Sequence, residues 1–475
     1  MSAWLSPAPL ARRTVRTPFS LRQLTGAGGW RGAIWLLCLI CLLALEGVAL
    51  THSSMWAAPA LCVLFVVIVP YIPLVGFLAL TLLARVLTDN SAAAGSRYSA
   101  SVNLSGAIAA LLILVAVGLL MRERRGLRVV VPATAFLLLT TAIAVRTNGA
   151  SGETIREGVR ELSILALAAV VFNSRGVLSL KRVTRMVQLV GVAPAMLALY
   201  QLATHTGADV EGQIRSDGTF AHPNGAAMFF AILAAVSVWR YIESGRGRSD
   251  ALLAGLFAAA TIATYSLTGL GALLAMLMVI GTLRPGSVRL KLGGYFAAAV
   301  VIGAFLATPL GAERIANESS TRLSSAQTRG TANTSFAWRL YKWGTLIPQW
   351  ERSPIVGRGL GATVTAEGNS EDVTAGKVPH NEYLRYLVET GVLGLGILIA
   401  ALVALIRALA ARRRLSGVPD AGMLGIALVV GAMVNAAADN TILYSNTGYL
   451  LALLLGAILT ISPGVRRTAP TVGIG

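Results

Sequence analysis

The stretch RSDALLAGLFAAATIATYSLTGLGALLAMLMVIGTLR, residues 248–284, decides the fold of this chain. Its apolar run exceeds the roughly 20 residues that one membrane helix needs. Basic clusters stand at both ends, Arg246 and Arg248 before it and Arg284, Arg289 and Lys291 after it. Connectors rich in Lys and Arg stay on the cytoplasmic side, so an even number of crossings must separate the two clusters. The stretch reads as a helical hairpin that turns near Gly269 and Gly271, with Ser266 and Thr268 offering hydroxyls to freed backbone groups.

Parity extends this reading outward. The first 30 residues carry Arg12, Arg13, Arg16 and Arg22 and no acid, which makes the next apolar run an uncleaved span with a cytoplasmic N-terminus. Pro70 and Pro73 divide Trp56–Leu87 into two short spans, since proline breaks a helix interior. The expected spans are 32–50, 56–70, 72–87, 101–121, 129–147, 157–173, 187–204, 224–241, 251–267, 270–283, 292–309, 382–406, 421–438 and 447–462. The fold class is therefore all-α, a polytopic transmembrane bundle of fourteen spans, or twelve if short pairs are re-entrant. Residues 1–30 and 464–475 form cytoplasmic tails around a membrane domain at 31–463.

Composition agrees. The 475 residues are 55% hydrophobic and 13% charged, against about a quarter charged in soluble domains. The net charge of +19 is an orientation signal. On the expected topology, 25 of 40 basic residues and 4 of 21 acids lie inside, leaving +21 there and −2 outside. That places the excess against anionic inner-leaflet lipids and gives no nucleic-acid surface. Cys38, Cys41 and Cys62 sit in apolar runs and suit neither a disulfide framework nor a zinc site.

Two external connectors are long, 204–223 and 312–379, and connections above ~12–15 residues are usually functional or disordered. The second opens with a polar stretch, Asn317–Thr334. It then turns amphipathic, with Phe336, Leu340, Trp343 and Ile347 at helical spacing and Pro348 ending the helix. Trp338, Trp343 and Trp350 fall here, a pattern suited to a helix lying in the outer interface among membrane lipids. Gly357–Gly361 follows as a flexible turn.

All four histidines, His52, His205, His222 and His380, fall at or beyond outer span ends. His222 shares a short loop with Arg215 and Asp217, before a helix that Asn224 caps. His380 precedes another span start, where Asn381 is a candidate N-cap and the positive helix end keeps an imidazole neutral and usable as a base. Glu382, Arg385 and Glu389, three and four apart, lie on one helix face and can pair. Arg339 suits either lipid phosphate or bidentate capture of a substrate phosphate. No glycine loop of the nucleotide-binding type occurs, and Asp209 and Glu211 make only a faint carboxylate pair for a divalent ion.

At three places the sequence resembles the O-antigen ligase and O-antigen polymerase family of bacterial envelope glycosyltransferases. They are Gly218–Asn224; Arg339 with Trp343 and Gly357–Gly361; and His380–Tyr383 followed by Glu389–Gly394. The resemblance implies a metal-independent and cofactor-free glycosyltransferase whose donor is a glycan on undecaprenyl diphosphate. By carry-over, Arg215 and Arg339 clamp the diphosphate and His380 is general base on a glycan or glycolipid acceptor. His222, Asn224, Asn381, Glu382 and Arg385 line the substrate site. One departure stands out: family members often carry an arginine in the middle hairpin turn, whereas here it reads Tyr265-Ser266-Leu267-Thr268-Gly269. A ligase is the first expectation and a polymerase of lipid-linked repeats the second. A secondary transporter or flippase, the alternative of another class, is disfavoured because polar residues gather outside rather than at mid-span.

Overall fold

The computed structural model describes residues 74–87, 89, 104–122, 127–149, 151–174, 178–210, 213–243, 247–284, 288–319, 335–364, 378–413 and 420–460. Packing divides the chain into Met1–Leu78 and Ala79–Gly475. The first unit is described only at Leu74–Leu78, the opening of α1 (Leu74–Leu87). The second is almost entirely helical: α2 (Leu104–Arg122), α3 (Leu127–Asn148), α4 (Gly152–Asn173), α5 (Leu180–Thr204), α6 (Pro223–Glu243), α7 (Arg248–Ala263) and α8 (Leu267–Leu283). After these come α9 (Val288–Leu306), α10 (Pro309–Ser319), α11 (Ser335–Glu351), α12 (Glu382–Arg413), α13 (Ala421–Ala436) and α14 (Ser445–Thr460). The one departure from all-α among the described residues is an antiparallel ribbon, β1 (Ala208–Val210) with β2 (Gln213–Arg215).

Four segments are long and apolar enough to cross a membrane: Val130–Thr147 within α3, and α5, α6 and α12; six shorter apolar helices accompany them. The chain is an integral membrane protein. The expected spans 32–50 and 56–70 lie outside the described residues, and each of the other twelve has a helix at its place.

The core forms around α6, which is buried on every side from Pro223 to Ser237. A helix apolar all round has no solvent face to keep, and α6 packs against α5, α7, α8, α13 and α14. The deciding hairpin is present as α7 and α8, but its turn falls at Thr264–Ser266, earlier than expected. Tyr265 takes a left-handed φ of 50°, and the Ser266 hydroxyl caps the Gly269 N–H. Gly269 lies inside α8 because a Cβ there would stand 2.3 Å from that of Ala227. It serves close packing on α6, and hydroxyls make the turn.

α12 is broken at Gly391, whose φ of 67° and ψ of −173° interrupt the helix. A break orphans backbone groups, which is tolerated at membrane depth only where protein satisfies them. The segment 354–360 does so. Arg358 and Gly359 N–H donate to the carbonyls of Val388 and Glu389 at 2.9 and 2.8 Å, and Val392 and Leu393 N–H donate to Pro354 and Ile355. Gly357–Gly361, read from sequence as a flexible turn, is instead a pinned plug, tied to α3 by Thr147 Oγ1 donating to the Arg358 carbonyl at 2.6 Å. Gly359 has a φ of +90°, and a Cβ there would lie 2.2 Å from Ala144 backbone. Gly359→Ala is expected to cost about 2–3 kcal/mol; an unchanged thermal midpoint in detergent would show that the plug yields.

α11 also corrects an expectation. Pro348 lies within it, and the helix continues to Glu351. A proline in the last turn forfeits a single i→i−4 bond, and Ser353 N–H donates to the Trp350 carbonyl to close the end. Arg339, Lys342 and Gln349 are buried, while Phe336 and Ile347 are exposed. The polar residues of α11 thus pack inward, against α12 among others, and Phe336 and Ile347 face out.

Candidate active site

Three helix beginnings carry the candidate residues. His222 immediately precedes α6, Ser266 caps α8, and Asn381 caps α12 by accepting the Leu384 N–H at 3.0 Å. Helix N-termini carry positive partial charge and unpaired N–H groups, so their gathering favours an anion. The connector between α13 and α14 adds a carboxylate at the centre, Asp439.

Asp439 is fully buried. Its Oδ1 accepts from His380 Nδ1 at 2.8 Å, from the Tyr444 hydroxyl at 3.1 Å and from the Asn440 N–H at 2.8 Å. Its Oδ2 accepts from the Thr268 hydroxyl at 3.2 Å. Burial alone would raise its pKa, yet the His380 hydrogen bond and charge, with Arg339 and His222 nearby, hold it well below the usual carboxylate range. A carboxylate only accepts, so the contact puts a proton on His380 Nδ1; in the neutral ring the lone pair is then on Nε2. His380 itself has a left-handed φ of 50°, a conformation uncommon outside glycine though enriched for His. The Trp338 ring stands edge-on to it, 5.5 Å between centroids, and Trp343 Nε1 donates to the Pro379 carbonyl at 2.8 Å. The tryptophans of α11 thus fix the His380 turn.

His222 lies 6.0 Å from His380, centroid to centroid, and stacks on Tyr444. Burial outweighs the attraction of Asp439 and pushes its pKa down to about 3, so this imidazole is neutral. The α6 cap differs from expectation. The Asn224 N–H donates to His222 Nδ1 at 3.1 Å, and Asn224 Oδ1 accepts from Arg215 at 2.8 Å. His222 caps the helix, and Asn224 is turned toward the arginine.

Beside this cluster a cavity of about 180 Å³ is lined by Asn224, Ser266, Leu267, Thr268, Arg314, Glu318, Phe336, Arg339 and Ala438. Arg339 donates through NH1 to Ser335 Oγ at 2.8 Å, while its buried Nε has no hydrogen-bond partner among the described residues. Arg314, from α10, bonds Gln213 of β2 at 3.0 Å and pairs with Glu318 at 3.7 Å. Thr268 joins cavity and dyad, since it lines the one and bonds Asp439 of the other.

The structure thus gathers His380, Arg339, His222 and Asn224. Arg215 lies one layer behind, 2% exposed, with Nε on the Thr264 carbonyl and NH2 on Asn224. Glu382 and Arg385 turn away from the cavity. Arg385 is 1% exposed and lies among Glu157, Glu161, Glu382 and Glu389, at 3.9, 3.0, 2.8 and 3.4 Å. The pairing of Glu382, Arg385 and Glu389 expected from their spacing is present, extended by two carboxylates of α4. Sequence reasoning missed Asp439 and Arg314. The one available signal for Asp439 was a lone carboxylate in an eight-residue connector between two apolar helices.

Fold and site together define an integral membrane protein with an arginine-lined cavity beside a carboxylate-bonded imidazole at the beginnings of its helices. Residues 252–399, from α7 to the middle of α12, match the family model described as O-antigen ligase. The resemblance read from the motifs is borne out there; Arg339, Gly357–Gly361 and His380–Gly394 fall within the match, and Gly218–Asn224 precedes it. Comparison with curated proteins gives no match.

Proposed function

We propose that this chain is a glycan ligase that moves a preassembled glycan from undecaprenyl diphosphate to an acceptor hydroxyl at the outer face of the cytoplasmic membrane. The observation that carries the reading is the adjacency of the Asp439–His380 dyad to the cavity lined by Arg314 and Arg339. His380 Nε2 takes the acceptor proton, general-base help worth about 10²–10⁴ in rate. The two arginines and the start of α8 neutralise charge growing on the departing diphosphate, as fixed cations and dipoles do in place of a metal. Arg314 lines the same cavity as Leu267 and Thr268, and so supplies there the cation that the stretch Tyr265–Gly269 lacks. Arg215 acts through Asn224, and Glu382 and Arg385 form frame rather than substrate contacts.

The orientation that fits has both termini cytoplasmic and the loops at 204–223 and 312–379 outside, with Phe336 and Ile347 of α11 in the outer interface. The donor then reaches the cavity from the outer leaflet, beneath Phe336.

His380→Ala and Arg339→Ala should each abolish transfer while the protein stays inserted, with lipid-linked glycan accumulating in cells; normal transfer by both would sink the assignment. Arg339→Lys should recover little, down about 10²-fold or more, because a point charge does not reproduce the guanidinium fork. Purified protein given donor and a separate acceptor should yield single transfer; a ladder of lengths would mean polymerisation.

A further inference from the structure

The two imidazoles of the site have opposite hydrogen-bonding polarity. A backbone N–H can only donate, so the 3.1 Å contact from Asn224 N fixes a lone pair on His222 Nδ1 and, in the neutral ring, the proton on Nε2. A carboxylate can only accept, so the 2.8 Å contact to Asp439 puts a proton on His380 Nδ1 and, in the neutral ring, the lone pair on Nε2; the Asn440 side-chain amide lies 3.2 Å from the same nitrogen, where its oxygen, not its NH2, suits that proton. The ring planes meet at 42° with centroids 6.0 Å apart. One oxygen held at about 2.8 Å from each Nε2, at a near-tetrahedral angle, separates such centroids by about 6 Å.

A group bridging the pair must donate to His380 and accept from His222. An ammonium group only donates and a carboxylate or phosphate only accepts, whereas a hydroxyl does both. We infer that His222 is a second catalytic residue: its Nε2–H holds the acceptor hydroxyl oxygen while His380 removes that hydroxyl's proton, so the paired rings select an alcohol as acceptor. This rests on the transfer reading above. In the step, the O–H bond breaks and its proton goes to His380 Nε2. The oxygen forms the new bond to the anomeric carbon, and the old carbon–oxygen bond releases its electron pair to the diphosphate. The His222 hydrogen bond stabilises the negative charge on the oxygen while its proton leaves. Stacking on Tyr444, itself bonded to Asp439 at 3.1 Å, keeps the ring in place.

Two substitutions separate this role from helix capping. His222→Asn retains an oxygen at the Nδ1 position that can cap Asn224 N–H, as asparagine does in turns, but puts no donor where Nε2 was. His222→Gln places its amide N–H near Nε2 and gives up the cap. With lipid-linked donor and hydroxyl acceptor, the Gln variant should stay within about tenfold of wild type. The Asn variant should fall about a hundredfold or more, through kcat and acceptor KM with donor KM unmoved. The opposite order, Asn active and Gln inactive, would reduce His222 to a cap and overturn the proposal. ¹⁵N spectra of histidine-labelled full-length protein in nanodiscs decide the polarity whether or not transfer is seen. They should give a neutral Nε2–H ring at position 222 and Nδ1–H at position 380 at pH 7. A protonated Nδ1 at position 222 would overturn the inference. Absence of transfer by wild type, with the expected spectrum, would instead count against the ligase reading alone.

Discussion

Asp439→Asn should lower glycan transfer by about 10³–10⁴-fold while leaving the protein folded and inserted. The side chain keeps its shape. With its NH2 turned to His380, the one amide oxygen takes the Oδ2 place and still accepts from Thr268, while Tyr444 and the Asn440 N–H give up their acceptor. The larger change is at His380. An amide can present N–H where the carboxylate presented a lone pair, so the ring accepts at Nδ1 and carries its proton on Nε2, where a base needs it absent. The stabilising negative charge beside the imidazolium formed in the reaction is lost as well. Asp439→Ala, which leaves the tautomer unforced, should lose less than Asn if tautomer control dominates and as much if charge dominates. The measurement is the single-turnover rate with lipid-linked donor at saturating acceptor. Near-wild-type turnover in both variants would remove His380 from the role of base.

Much of the architecture was legible because a membrane reduces folding to lengths and signs. The hairpin of α7 and α8 follows from two basic clusters flanking an apolar run, and no packing detail was needed. The turn was misplaced because Gly269 reads equally as turn or as contact. Only the 2.3 Å approach to Ala227 tells that its missing side chain serves α6. The break in α12 was hidden for a related reason. Gly391 in an apolar run resembles any other helix glycine until a segment some thirty residues earlier is seen to occupy the orphaned backbone groups. His222, Arg339 and His380 stood out as polar residues at the ends of apolar runs. Asp439 and Arg314 did not, because each reaches the site only through tertiary placement, and neither lies within fifty residues of His380 along the chain.

The frame beneath the site sets the last expectation. Glu157, Glu161, Glu382 and Glu389 surround Arg385, and Arg160 pairs with Glu157. Four carboxylates thus face two guanidinium groups, and Arg385 touches all four. Removing one partner of a buried ion cluster costs about 3–5 kcal/mol, because the charges left behind have lost their solvent and their counter-ion. Arg385→Met, similar in reach and apolar, should lose stability on that scale, seen as a large fall in thermal midpoint and in yield of folded protein from membranes. Glu389→Gln has the opposite expectation. It keeps the 2.7 Å hydrogen bond from Thr363 and removes one of the excess negative charges, so its cost should stay under about 1 kcal/mol. Equal destabilisation by both would mean that shape, not charge balance, governs the cluster. The consequence reaches the chemistry through Glu382, whose Oε1 accepts the N–H groups of Ile442 and Leu443 at 2.8 and 3.2 Å and so anchors the connector that carries Asp439. An Arg385→Met protein rescued by low temperature or lipid should therefore still transfer poorly, with the loss in kcat rather than in donor KM. Recovery of full turnover once folded would separate frame from dyad.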